Sequence, residues 1–219
     1  MDIEKIKAIA ADLLMDKKSH PWKERGNKYH HGERVGKMSV AIRKLMLPDD
    51  DSHDDIMLAA ALFHDMANGD VKRAEHGKVG AERTRELIKD LCTEAELNDI
   101  CHIIEVHDDR YPNDDRYPYW VKLHQDADYL DHFGCYDVWM SSIECAANGK
   151  TVMEGAEFMV EERGKWMMAI HGELNYEISH EILNEKLTYQ REFGERFVRE
   201  MNGEIIGLDD MWKKLNGIK

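Results

Sequence analysis

His-Asp pairs occur three times along the chain, at His53-Asp54, His64-Asp65 and His107-Asp108. An imidazole beside a carboxylate can ligate a metal, shuttle a proton or cap a helix, so the dipeptide alone says little. Its surroundings separate the copies. His53-Asp54 lies in an acidic turn with Asp50, Asp51 and Ser52 and reads as a solvated cap. His64-Asp65 follows the unbroken apolar run Ile56 to Phe63, where an unpaired imidazole and carboxylate would be costly to bury. A metal ion compensates both directly. His31 precedes Val35 and Met38 on one helical stripe, and Asp126 lies among Leu123, Ala127 and Leu130, so two more polar groups sit on apolar faces. Taken singly, His31 fits a satisfied core histidine and Asp126 an ion pair with a core Arg.

Together, His31, His64, Asp65 and Asp126 supply two imidazoles and two carboxylates. That mixed nitrogen and oxygen set suits one six-coordinate divalent ion such as Mn, Fe, Co, Ni or Mg, with two positions left for water and substrate. Structural zinc would prefer a closed tetrahedral site, often of thiolates. A dication so held acidifies water towards a nucleophilic hydroxide.

The elements that position these residues read as helices, with no alternating strand. Ile3, Ile6, Leu13 and Leu14 mark a first helix, followed by a polar stretch from Ser19 to Lys28. Val35, Met38, Ile42 and Leu45 mark a second, ended by Pro48 to Asp51. Asp51-Ser52 can cap a third, the run Ile56 to Phe63, which is apolar on every side and is expected to be the central buried helix. Further helices are predicted over 75–91, 94–107, 119–133, 135–147, 154–170 and 174–201. Gly149 and Gly155 bracket a joint, but composition does not shift there enough to define a second domain.

Four stretches resemble the HD-domain phosphohydrolases, and within them the small bacterial HD proteins linked to nucleotide hydrolysis. They are His31-Gly32-Glu33-Arg34-Val35, Ala60-Ala61-Leu62-Phe63-His64-Asp65, His76-Gly77-Lys78-Val79-Gly80-Ala81 and Asp126-Ala127-Asp128-Tyr129-Leu130-Asp131. A weaker likeness runs from Glu185-Lys186-Leu187 through Arg196-Phe197. Met66-Ala67-Asn68 stands where the family commonly has Ile-Gly. The resemblance implies an all-α fold, an HD-domain helical bundle with a C-terminal helical extension. It also implies His31, His64, Asp65 and Asp126 as metal ligands, the set already reached from burial. We expect one domain over 1–219, with a core about 28–135 and helices about 136–219 packed on it.

His76 opens a helix and His107 lies on the inner stripe of another, three residues after Ile104. We read them as catalytic groups that contact phosphate or move a proton beside a single ion. The rival is a dinuclear centre with both as extra ligands. Lys72, Arg73 and Lys78 form the nearest basic cluster to the HD pair in sequence, and Lys72 and Arg73 are expected to bind substrate unless they are a solvated face. Arg34 either meets phosphate or anchors an acidic neighbour. Met153, Met159, Met167 and Met168 read as core packing. Asp108-Asp109-Arg110-Tyr111-Pro112 recurs as Asp114-Asp115-Arg116-Tyr117-Pro118, either a solvated loop of two similar turns or a loop beside the site.

Net charge is −14, from 44 acidic and 30 basic residues, which argues against bulk nucleic-acid binding. No stretch approaches a membrane span or a secretory signal, and the four cysteines form no CxxC pair, so a cytoplasmic protein is expected. The expected activity is metal-dependent hydrolysis of a phosphoester or phosphoanhydride in a small phosphorylated substrate, a nucleotide being favoured by resemblance alone. A catalytically silent nucleotide sensor is the rival from another class, and a homodimer is compatible with the sequence.

Overall fold

The computed structural model describes residues 1–18, 23–112, 114–160 and 171–217. The start of the polar stretch (19–22) and the end of the helix expected over 154–170, with Met167 and Met168, lie outside the described residues. Among the described residues the structure is helical, with one isolated bridge between Asn68 and Val71. The all-α expectation holds.

The chain divides into two compact units. The first comprises Met1–His132 and Ile170–Leu183, the second Phe133–Ala169 and Asn184–Lys219. In the first unit the helices are α1 (Ile3–Leu14), α2 (Asn27–Met46), α3 (Asp54–Phe63), α4 (His76–Ile88), α5 (Glu94–Val106) and α6 (Tyr119–Asp131). Short 3-10 turns cover Arg73–Glu75 and His171–Glu173. Local chemistry fixes several starts. Thr93 and Glu96 form a reciprocal capping box on α5, and the Asp2 side chain accepts from the Lys5 amide on α1. His53, rather than Asp51 or Ser52, is the residue capping α3, and its side chain makes no cap bond.

α3 packs against α2 and α5, α2 also meets α6, and α4 lies on α5. As expected for its composition, α3 is buried on nearly all sides, with Met57, Ala59, Ala60 and Phe63 fully enclosed. Val35 and Ile42 of α2 are buried, but Leu45 is 68% exposed. The inward position near that helix end belongs to Arg43, whose guanidinium forks onto Asp54 at the start of α3, with Nε donating to Oδ1 at 2.8 Å. A buried cation with two matched carboxylate oxygens is tolerable there, whereas burying Leu45 would have turned Arg43 out.

In the second unit, α7 (Cys135–Ala147) is followed by α8 (152–160). α9 (Glu177–Met201) belongs to the first unit up to Leu183 and to the second from Asn184, and α10 (Leu208–Leu215), which periodicity did not reveal, closes the described chain. Thr151 and Glu154 form a second capping box at the start of α8. Gln190 accepts from the Gly134 amide at 2.8 Å and donates to Asp137 at 2.5 Å, a buried polar tie between the starts of α7 and α9's later half. No helix among the described residues is long and apolar enough to cross a membrane.

Two glycines set the helix spacing that the site requires. A Cβ on Gly32 would lie 2.4 Å from the Ala61 carbonyl oxygen, and one on Gly77 would lie 2.5 Å from that of Glu105. Each glycine directly follows a histidine, His31 or His76, so the tight crossings of α2 on α3 and α4 on α5 also place imidazoles. Gly32→Ala should therefore destabilise the protein by about 1–3 kcal/mol, since helix backbone must move to admit a methyl group. Denaturant unfolding checks this, and a neutral result would mean that the crossing is loose.

Candidate metal centre

Four histidines converge in the first unit, each with one nitrogen held. His64 ends α3 and its Nδ1 donates to the Ala61 carbonyl at 2.8 Å. His107 ends α5 in the same way, with Nδ1 donating to Ile104 at 2.7 Å. His76 Nδ1 donates to the Arg73 carbonyl, again three residues back. Helix C-termini carry carbonyls without intrahelical partners, so the His64 and His107 bonds satisfy the backbone and select the tautomer together, while the His76 bond fixes its tautomer at the start of α4. His31 Nδ1 donates instead to Asp131 at 2.8 Å. With every Nδ1 so committed, the Nε2 atoms are the ones left to face the site.

They face each other in pairs. His31 Nε2 and His64 Nε2 are 3.2 Å apart, and Asp128 Oδ1 lies 3.1 Å from the first and 3.5 Å from the second. All three side chains are buried. His76 Nε2 and His107 Nε2 are 2.9 Å apart, with Asp65 Oδ1 at 3.8 Å from His76. Two groups of potential ligands thus exist among the described residues, His31–His64–Asp128 and Asp65–His76–His107. The His64 and His107 rings join them, with centroids 5.1 Å apart.

The first group fits a divalent cation. Two bare lone pairs and a carboxylate oxygen repel at these distances unless a positive charge lies among them. Donors about 2.1 Å from one first-row ion, at roughly right angles, stand about 3 Å from each other. Protons can supply the charge instead. Burial would lower the His31 pKa, but its bonds to Asp128 and Asp131 outweigh that and push it up to about 10. Against the opposing effect of burial, the charges on His64 and His31 hold Asp65 at about 2. Metal binding must displace such protons, so it is coupled to pH.

The sequence-predicted residues fall as follows. His31 and His64 meet as expected, and Asp65, His76 and His107 gather beside them. Asp126 does not join them. It is fully buried, as its stripe implied, but its carboxylate accepts from the Asn175 amide at 2.9 Å, the Asn175 side chain at 2.8 Å and the Tyr176 amide at 3.2 Å. It thus holds the backbone that leads into α9, and no core Arg pairs with it among these contacts. The carboxylate at the two imidazoles belongs to Asp128. Arg34 takes the anchoring option: Nε and Nη2 donate to Asp131 at 2.7 and 2.8 Å, fixing the carboxylate that holds His31. Arg73 is 88% exposed at its side chain and lies 3.6 Å from Asp108, while Lys72 is also exposed. His53 is stacked on Trp120 at 3.9 Å, apart from either group.

Sequence reasoning missed Asp128, Asp131, Arg110 and His124. Asp128 accepts from Arg110 Nη2 at 2.8 Å. His124 is fully buried, 5.1 Å from His64 between ring centroids, and neither ring nitrogen has a partner among the described residues. Burial, reinforced by His64, holds it neutral, well below the usual histidine range. The signal was present: His124, Asp128 and Asp131 stand at i, i+4 and i+7 on α6, a polar stripe with helical spacing. Asn68, from the segment that departs from the family pattern, donates to Asp65 at 2.9 Å and steadies it.

A cleft of about 550 Å³ reaches the second group, lined among others by Arg73, His76, Lys78, His107, Asp108 and Asp109.

Residues 29–132 match the family model described as the HD domain. The fold is similar to that of an HD-superfamily hydrolase from Bacillus thuringiensis, at 21% identity over 92% of this chain and 97% of that one, with a TM-score of 0.68. It is also similar to Bacillus subtilis YpgQ, solved in complex with ADP, at 18% identity over 95% of this chain and 97% of that one, with a TM-score of 0.60. No curated protein matches the sequence significantly.

Substitution separates the two neighbouring carboxylates of α6. Asp128→Asn should weaken Co(II) or Mn(II) binding by a hundredfold or more, through loss of a charged ligand. Asp126→Asn should leave metal affinity within about threefold but cost about 1–3 kcal/mol with or without chelator, because three donors lose their charged acceptor. Metal titrations and thermal melts of both variants check this, and metal loss confined to Asp126→Asn would restore Asp126 as the ligand.

Proposed function

We propose that the protein is a metal-dependent phosphohydrolase acting on a small phosphorylated molecule, with a nucleotide as the favoured substrate. The observation that carries this reading is the convergence of His31 Nε2, His64 Nε2 and Asp128 Oδ1 within 3.5 Å of one another in a buried position. In it, His31, His64, Asp65 and Asp128 would hold one divalent ion, which supplies Lewis acidity at phosphate and an activated water when bound.

The chain's own residues supply the remainder. Asp131 orients His31 and Asn68 orients Asp65, so the donors are arranged before an ion arrives. His76 and His107 line the cleft, where they can donate to a phosphate oxygen or pass a proton to a leaving group. Arg73 and Lys78 line the same cleft and offer cations to a phosphate, alongside the carboxylates of Glu105, Asp108 and Asp109. ADP in the YpgQ complex supports a nucleotide ligand by analogy of fold. The four free thiols agree with a cytoplasmic setting, and net charge weighs against bulk nucleic acid as a partner.

A second reading, a dinuclear centre, is favoured by one specific observation. The His76–His107 pair repeats the opposed Nε2 geometry of His31–His64, with Asp65 beside it. Elemental analysis separates the readings: near one ion per chain supports the first, near two the second.

The function is tested by a phosphatase screen of general and nucleotide substrates with Mn, Co, Mg or no metal. Metal-stimulated release of phosphate, lost in His64→Ala, is the expected result. Complete inactivity with metal bound would favour a silent nucleotide sensor. Replacing Arg73 and Lys78 together by Ala should lower kcat/KM by roughly tenfold, about 1.4 kcal/mol of transition-state stabilisation, with unchanged metal content. Unaltered kinetics would return both to a solvated surface role.

A further inference from the structure

The duplicated Asp-Asp-Arg-Tyr-Pro motif has two different fates. In the second copy, Arg116 turns back on its own turn, donating to Asp114 at 2.7 and 2.9 Å and lying 3.5 Å from the Tyr111 ring centroid. Its side chain is 45% exposed. In the first copy, Arg110 is only 7% exposed at its side chain. Nη2 donates to Asp128 Oδ2 at 2.8 Å, Nη1 donates to the Gln125 carbonyl, and the guanidinium lies 3.5 Å from the Tyr129 ring centroid. Gln125 in turn donates through Nε2 to the carbonyls of Val106 at 2.9 Å and Asp109 at 2.8 Å. The chain leading up to Arg110 is therefore fastened to α6.

The two oxygens of Asp128 are divided between neighbours. Oδ1 is the atom beside His31 and His64, and Oδ2 is the atom held by Arg110. A carboxylate held through one oxygen is restrained in its rotation and offers the other oxygen in a preferred direction. We propose that Arg110 is a positioning residue that makes Asp128 a one-oxygen ligand of fixed orientation. This rests on the reading that His31, His64 and Asp128 hold an ion. The guanidinium also offsets the Asp128 charge, so the dication keeps more of its own for a phosphate. Its burial and its bonds to Asp128 and Gln125 turn it towards α6 rather than towards the substrate.

The test measures Co(II) affinity by competition with a chromophoric chelator, together with the visible spectrum of the bound Co(II), in the full chain. Arg110→Met should weaken binding by about 10- to 100-fold. Arg110→Lys should recover part of this, since an ammonium can reach Asp128 but cannot also fork to Gln125, and its Co(II) spectrum should differ from that of the unmodified protein. Arg116→Met should stay within twofold. Should Arg110→Met fail to fold in chelator, Arg110→Lys decides alone. Affinity and spectrum unchanged in Arg110→Lys, or a raised KM with unchanged Co(II) affinity, would overturn the proposal, the latter making Arg110 a substrate contact. If the unmodified protein binds no Co(II), the ion reading itself fails, and that result is distinct from either of the others.

Discussion

The structure of the first unit is organised around an electrostatic conflict: three electron-pair donors held within 3.5 Å of one another in a buried place. Nothing in hydrophobic packing would produce this. It depends on four imidazoles whose Nδ1 atoms are committed elsewhere, three to carbonyls at i−3 and one to Asp131. At His64 and His107 those commitments use helix-end carbonyls that the fold must satisfy anyway, because a buried carbonyl without a donor is costly. The helix ends thus serve backbone and site at once. Gly32 and Gly77 complete the arrangement by letting α2 approach α3 and α4 approach α5 beside His31 and His76.

A chain with net charge −14 buries two guanidiniums and half-buries a third in this unit, and each has a carboxylate to meet. Arg34 meets Asp131, Arg110 meets Asp128 and Arg43 meets Asp54. Bidentate or divided bonding makes such burial bearable, since each removed hydration contact is replaced by a directed one. The pairing also distributes charge unevenly. With Asp128 and Asp131 each matched by a guanidinium, Asp65 is the carboxylate of the group whose neighbour is a neutral amide, Asn68. On the proposed reading this leaves a bound dication under-neutralised, which favours an anionic ligand over further carboxylates.

Periodicity made the helices legible, because helices α1 to α7 and α9 carry apolar stripes whose period is local. It also exposed His31, His64 and Asp65, since polar groups on apolar faces conflict with burial. Asp126 shows where that reasoning ends. It was singled out for lying on the Leu123, Ala127 and Leu130 stripe, and it is buried, but α6 is buried on most sides and has two inner faces. One meets the chain leading into α9 and the other meets the histidines. Choosing between them requires knowing which neighbour lies on which face, which is a tertiary fact. Leu45 failed for a related reason: Arg43, a long side chain bonded bidentately to Asp54, displaced the apolar residue from the inside. Helix α10 is short and its apolar residues are exposed, so its stripe has no counterpart in the core.

The two histidine pairs differ in what can reach them. The cleft is lined by His76 and His107, together with Arg73 and Lys78, whereas His31 and His64 are not among its walls. Asp108, beside His76 and His107, is 36% exposed at its side chain, while Asp128 beside the first pair is 9% exposed. An anion entering this cleft therefore meets the second pair before the first. If a second cation occupies His76, His107 and Asp65, those imidazoles lose their free nitrogens and can no longer donate to phosphate. If none does, they stay available as donors and proton carriers, and Asp65 is free to serve the first group. The two roles exclude each other at the same nitrogen atoms, so the number of ions bound also determines what His76 and His107 can contribute to chemistry.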